Sequence, residues 1–267
     1  MRFGAMDGSL GRGDGPLESV FTRAREAGLD GVELCLRANY TQDPLWQPDG
    51  ARTARQAATT QGIDVPSLCL LMLNQGNFVT GGETQAQARQ IVARSIDVAH
   101  DVGARTILLP FFGAGKIADE AGHGRVVEDL RKLAPAAEAA GVTLGIETTL
   151  PAPDVLETLR LVDSPAVRCY FDIANAVWLG YDPVAELEAL HAAGTMAQVH
   201  VKDIAENPGD RAPGEGRVPY PAVAAALRRS GYDGYLMFET RPTDDPVGAA
   251  RRHRAYVSEL LALPSSS

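Results

Sequence analysis

A chain of 267 residues with 45% hydrophobic side chains can bury one large core or two small ones, and its net charge of −9 argues against a dedicated nucleic-acid-binding face, which would be basic. Its three cysteines, Cys35, Cys69 and Cys169, are odd in number, show no zinc or redox spacing and lie in strand-like runs, so they read as small core residues. No apolar run approaches a membrane span, and the start Met-Arg-Phe-Gly-Ala-Met-Asp has no signal-peptide apolar region, so a cytoplasmic protein without membrane contact is expected.

In chain order, a strand is expected over 2–6, followed by a glycine-rich loop from Asp7 to Pro16. Leu17, Val20, Phe21, Ala24 and Ala27 recur at helical spacing, and Gly28 closes that helix. Strand 31–36, a polar loop with Trp46, helix 50–61, strand 66–73, helix 83–102, strand 105–111, loop 112–123 and helix 124–140 follow. The second half repeats the alternation: strand 142–148 and helix 153–162, strand 167–173 and helix 183–193, strand 196–201, a long Pro/Gly loop, helix 221–230, strand 235–240 and helix 246–261. Residues 263–267 read as a frayed tail. Eight strand–helix units without a linker or composition shift predict an α/β chain, a single (β/α)8 TIM barrel spanning 1–267. A doubly wound open sheet is the runner-up, but the glycine fingerprint of a dinucleotide site is missing after the first strand.

The last four strands share a pattern: each apolar run ends on or beside one ionisable residue, Glu147, Asp172, His200 or Glu239. Alternation along a strand turns their apolar neighbours to one side and the ionisable group to the other. In a parallel barrel all strand C-termini open on one face, so the four converge at its mouth. Three carboxylates and an imidazole suit Mn²⁺, Mg²⁺ or Co²⁺, and zinc also fits. The plainer reading is a buried ion-pair cluster completed by Lys202 and Arg168.

The segments Gly-Ile-Glu147, Asp172-Ile-Ala-Asn175, His200-Val-Lys202-Asp203 and Gly214-Glu-Gly-Arg-Val218, the run from Gly231 to Glu239, and Gly31-Val-Glu33 resemble the xylose-isomerase-like barrel superfamily, in particular its sugar-phosphate isomerase/epimerase branch. The resemblance covers essentially the whole chain and is poorly specific for substrate. It implies one divalent cation held by Glu147, Asp172, His200 and Glu239, with Glu147 and Glu239 also exchanging protons with a small carbohydrate-like substrate. It implies an isomerase or epimerase of a sugar, sugar phosphate or related keto-polyol that abstracts a proton beside a carbonyl and passes through an enediolate. A lyase on the same site (a keto-inositol or dehydroshikimate dehydratase, or a 3-keto-glycoside-cleaving enzyme) is the alternative, because an enolate with a β-leaving group eliminates. A nuclease resembling endonuclease IV would need three zincs and several strand-end histidines, where only His200 stands. A non-catalytic barrel would not keep all four ligands. Self-association into a homo-oligomer is compatible with this reading.

Around this core, Lys202 lies two residues beyond His200 and is expected to point into the mouth, where it holds a substrate oxygen, pairs with Glu33, or both. Glu33, Asn175, Arg211 and Trp178 are the other substrate-binding candidates. Asn175 stands where free-ketose epimerases resemble one another in a histidine, and Pro153 where they tend to have a glutamate, so this chain departs from a simple free-hexulose 3-epimerase. Arg211 is a candidate clamp in the long loop after strand seven. Arg12 among its glycines reads as part of a mobile loop or an anion cradle, and Asn74 is a weak further candidate. Gly113-Ala-Gly-Lys116 fails as a P-loop, with wrong glycine spacing and Ile117 where Ser or Thr is needed. His100, His123, His191 and His253 read as surface residues.

Overall fold

The computed structural model describes residues 1–13 and 15–263; apart from Leu263, the tail expected to fray lies outside the described residues. Eight strands close into a parallel barrel: β1 (Arg2–Met6), β2 (Gly31–Leu36), β3 (Ser67–Leu70), β4 (Thr106–Phe111), β5 (Thr143–Thr148), β6 (Val167–Asp172), β7 (Met196–Val201) and, after a short hairpin, β10 (Tyr235–Phe238), in the order β1-β10-β7-β6-β5-β4-β3-β2. This is the (β/α)8 fold expected from the alternation. Every residue of β2 and β4 is buried, as in a parallel sheet covered on both faces, so these strands read as continuous apolar runs.

The helices between them are α1 (Glu18–Ala27), α2 (Gly50–Gln61), α3 (Gly82–Val102), α4 (Glu120–Ala140), α5 (Ala152–Val162), α6 (Ile173–Trp178), α7 (Pro183–Ala192), α8 (Tyr220–Ser230) and α9 (Pro246–Ala262). α3 stops at Gly103, whose left-handed φ of 92° lets its N–H close on Ala99 O at 3.0 Å. The chain forms two compact units. One comprises Met1–Glu33, Ala57–Asp64 and the chain from Phe171 on; the other comprises Leu34–Gln56 and Val65–Tyr170. The first carries β1, β7, β10 and the last four helices, and the second carries β3, β4 and β5 with α3, α4 and α5. Their boundaries fall inside strands β2 and β6.

Four local departures from expectation have physical causes. β3 stops at Leu70 and continues as a 3₁₀ turn, Leu71–Gln75. α4 starts at Glu120 because the Asp119 carboxylate caps it, accepting Gly122 N–H at 2.6 Å; Gly122 and Gly124 hide that start from a propensity reading. β6 ends on Asp172, which caps the unexpected α6 by accepting Asn175 N–H at 2.8 Å; the β-branched Ile173 and Val177 look like strand residues. Arg12 lies neither in an anion cradle nor in a loose loop: it is buried, with its Nη1 2.6 Å from Asp7 Oδ2.

The loop after β7 is also built rather than slack. It contains an antiparallel hairpin, β8 (Asp203–Ile204) with β9 (Pro208–Arg211). The wholly buried Asp203 carboxylate accepts four backbone N–H groups at 2.8–3.0 Å, from Ile204 and Val218 on Oδ1 and from Gly214 and Gly216 on Oδ2. Position 216 admits only glycine: a Cβ there would fall 2.3 Å from Asp203 Oδ1 and 2.5 Å from Ile204 O. Asp210 repeats the device at the hairpin turn, where hydrogen bonds from Ala205, Asn207 and Glu206 lower its carboxyl to about 2. Replacing Asp203 by Ala strands four amides at once, so Asp203→Ala should cost about 3 kcal/mol in urea unfolding, with Asp203→Asn in between.

His253 on α9 is buried, not a surface residue; its ring packs at 5.8 Å on Phe238, and its Nδ1 closes no hydrogen bond. Burial first, and Arg252 second, lower its imidazole to about 4. An unfolded chain takes up that proton below its ordinary value of about 6.5, before the folded one does. The stability contributed by neutral His253 is therefore complete above that value and is lost as pH falls toward 4. The urea midpoint should fall between pH 7 and pH 5, and His253→Leu should show a smaller fall over the same interval.

Candidate metal centre

The ends of β5, β6, β7 and β10 supply the site. Glu147 lies on β5, Asp172 is the last residue of β6, His200 lies on β7, and Glu239 follows β10 directly, its N–H on Val201 O at 3.1 Å. One ligand-capable atom from each of the four falls within 4.8 Å of the others. Glu147, Asp172 and His200 are buried, and the Glu239 side chain is 29% exposed.

His200 sits between carboxylates. Its Nε2 is 2.9 Å from Glu33 Oε1, and its Nδ1 is 3.0 Å from Glu239 Oε2 and 3.8 Å from Asp172 Oδ2. The buried Lys202 ammonium bridges Asp172 Oδ2 at 2.8 Å and Glu239 Oε2 at 2.6 Å. Burial alone would raise the Glu239 carboxyl, but Lys202 and then His200 outweigh it and hold the group ionised, well below the ordinary carboxylate range. The Lys202 backbone is fixed in turn, because the buried Tyr220 hydroxyl donates to Lys202 O at 2.9 Å. Gly209, in β9, lies over this pair: a Cβ there would be 3.5 Å from Glu239 O and 3.8 Å from Lys202 Cδ.

This donor set fits a divalent cation. It offers hard carboxylate oxygens and one imidazole nitrogen. Asp172 Oδ2 is buried and makes no well-directed hydrogen bond, with the Lys202 ammonium 2.8 Å and His200 Nδ1 3.8 Å away. A buried acidic cluster of this kind calls for compensating positive charge, and Lys202 with His200 supplies part of it.

The remaining candidates separate. Lys202 joins the four, as expected. Glu33 meets His200 rather than an open pocket, and it also falls within the same distance of the thiols of Cys35 and Cys69. Asn175 is buried one turn from Asp172. Trp178, at the last turn of α6, is 47% exposed. Arg211 does not join the cluster: it is exposed on β9, its guanidinium donating to Asp210 O at 2.9 Å. Arg168 lies near the start of β6, its Nε donating to Pro165 O at 3.2 Å. Asn74 Oδ1 accepts Phe112 N–H at 3.3 Å. The anchors Asp203, Tyr220 and Gly209 escaped the sequence reading. The Asp after His-Val-Lys was visible, but its four amide partners lie up to fifteen residues away.

The family described as xylose isomerase-like TIM barrel matches residues 21–260. An L-ribulose-5-phosphate 3-epimerase, UlaE, of Escherichia coli (strain SMS-3-5 / SECEC) is 29% identical over 255 residues, covering 90% of this chain and 88% of the relative. Among solved structures, an L-ribulose 3-epimerase superposes with a TM-score of 0.81 at 20% identity, covering 97% of this chain and 94% of that one. A D-psicose 3-epimerase of Clostridium cellulolyticum H10 superposes at 0.82 with 15% identity, covering 98% and 100%. These structural likenesses concern the fold. With the family matched over nearly its whole length, the chain belongs to the xylose isomerase-like TIM barrels.

Proposed function

We propose that this protein is a divalent-metal-dependent sugar epimerase of the cytoplasm, acting on a ketose or ketose phosphate by proton transfer at the carbon beside the carbonyl. The observation that carries this reading is the convergence of Glu147, Asp172, His200 and Glu239 on one point, with Lys202 between two of them. The similarity to an L-ribulose-5-phosphate 3-epimerase supports the reaction class and makes ketopentose 5-phosphates the first substrates to try.

Glu147, Asp172, His200 and Glu239 would hold the cation, which when bound supplies the Lewis acidity that makes the neighbouring C–H acidic. The chain's own groups do the rest. Glu239, ionised and partly open to solvent, removes a proton from one face of the substrate carbon. Glu147 returns one from the other face, and the two exchange roles in reverse. Lys202 steadies the oxygen on which charge develops, as a buried ammonium on a backbone held by Tyr220 can do without reorganisation. Asn175 is placed beside Asp172 to contact a substrate hydroxyl. Trp178 and Arg211, both exposed, serve only if the substrate reaches past the cluster.

The test follows solvent deuterium. With the protein loaded with Mn²⁺ or Mg²⁺ in D₂O, L-ribulose 5-phosphate, L-ribulose and D-psicose are compared by NMR. Deuterium should enter beside the carbonyl of the preferred substrate, and Glu147→Gln and Glu239→Gln should each slow this about 10³-fold. Loss of water from the substrate would instead indicate a lyase, and a wild-type protein that takes up no divalent ion would sink the metal reading. Lys202→Met should behave differently. By leaving Asp172 and Glu239 without their cation it should cost the metal-free protein about 3 kcal/mol in urea, and Lys202→Arg should not restore turnover.

A further inference from the structure

We infer that Glu33 is a positioning residue: its carboxylate takes the Nε2–H of His200 and leaves the Nδ1 lone pair turned toward the cation. This rests on the metal reading above and adds to it a residue from a different strand, with a defined task.

The two nitrogens of His200 face different things. Nε2 lies 2.9 Å from Glu33 Oε1, with both side chains buried, at 1% and 0% exposure. Nδ1 points the other way, toward Glu239 Oε2 at 3.0 Å and Asp172 Oδ2 at 3.8 Å, two of the three carboxylates grouped with His200. An ionised carboxylate only accepts hydrogen bonds, so the contact with Glu33 places a proton on Nε2, and the contact with Glu239 places one on Nδ1 that a bound cation would replace. Once the cation has taken the place of the Nδ1 proton, the neutral imidazole carries a single N–H, held by Glu33, and the nitrogen facing Glu239 and Asp172 is the ligating one. A carboxylate behind a ligating imidazole also raises its basicity and fixes its ring plane.

Glu33 is itself held in place by the backbone on β2. It pairs with Met6 of β1, and its carbonyl accepts Asp7 N–H at 2.9 Å. Gln would fit the same space, but its amide could present either N–H or O to Nε2 and would fix neither the tautomer nor the charge.

The experiment uses the full chain with ¹⁵N-labelled histidine, loaded with diamagnetic Zn²⁺. In long-range ¹H–¹⁵N correlation spectra, His200 should carry its proton on Nε2, with Nδ1 ligated. In parallel, Mn²⁺ titrations by calorimetry should show Glu33→Gln binding 10- to 100-fold more weakly than wild type, with an unchanged circular dichroism spectrum. Glu33→Asp, one methylene short, should not recover the affinity. A proton on Nδ1 in the wild type, or a Glu33→Gln affinity within about twofold of wild type, would overturn the assignment while leaving the metal reading intact. A wild type that takes up neither ion would remove both. Should Glu33→Gln fail to fold, the wild-type spectrum alone decides.

Discussion

The dominant constraint on this molecule is a concentration of negative charge it cannot leave uncompensated. Glu33, Asp172 and Glu239 lie around His200, and Glu147 belongs to the same group. Isolated carboxylates in such surroundings cost several kcal/mol each unless paired. The chain answers with one fixed ammonium, Lys202, and one imidazole. A buried ion pair of this kind is weak evidence for stability as such, since a well-packed apolar cluster of equal volume could serve the fold at least as well. Its presence at the strand ends, where a barrel opens on its functional face, points instead to chemistry.

The rest of the first unit keeps that ammonium in place. Lys202 has a long, flexible side chain whose ordering is costly, so fixing its backbone matters. Tyr220 binds the Lys202 carbonyl, and the next residue, Asp203, ties its own backbone to the amides at 204, 214, 216 and 218. The loop of eighteen residues between β7 and α8 that could have been a lid is thereby tied to the barrel, and Gly209 brings its backbone against Lys202 and Glu239. Glycine at 216 follows from the same arrangement, because the space for a Cβ is taken by Asp203 itself.

How much of this could be read from the residues depends on the range of each interaction. The barrel was legible because strand–helix alternation is local and repeats eight times. The four convergent residues were legible because one rule, an ionisable group at the end of an apolar strand, applied four times. Partners were not. Glu33 and His200 stand 167 residues apart, and nothing in Gly31-Val-Glu33 says that its carboxylate will meet that imidazole. His253 misled for the opposite reason: a histidine flanked by arginines on a helix looks solvated, yet a helical turn places it against Phe238. Arg211 stands out in the sequence for its charge and its long loop. The loop proved ordered, and the guanidinium turned back to the neighbouring Asp210 carbonyl.

The end of β7 then explains why these parts act together. Within four residues the chain places His200, whose ring faces Glu33 on one side and Glu239 on the other, Val201, whose carbonyl receives the Glu239 amide, Lys202, which bridges Asp172 and Glu239, and Asp203, which gathers the following loop. A backbone shift at this one strand end would move the imidazole, the ammonium and the seat of Glu239 at once. Parallel pairing of β7 with β10, Met237 opposite His200 and Phe238 opposite Val201, resists that shift, because sliding by one residue would exchange the buried and site-facing sides of the strand. The register of one pair of strands thus sets the spacing between the imidazole, its counter-charge and the half-exposed carboxylate, and a proton transfer that must be aligned to a fraction of an ångström needs a scaffold of that kind.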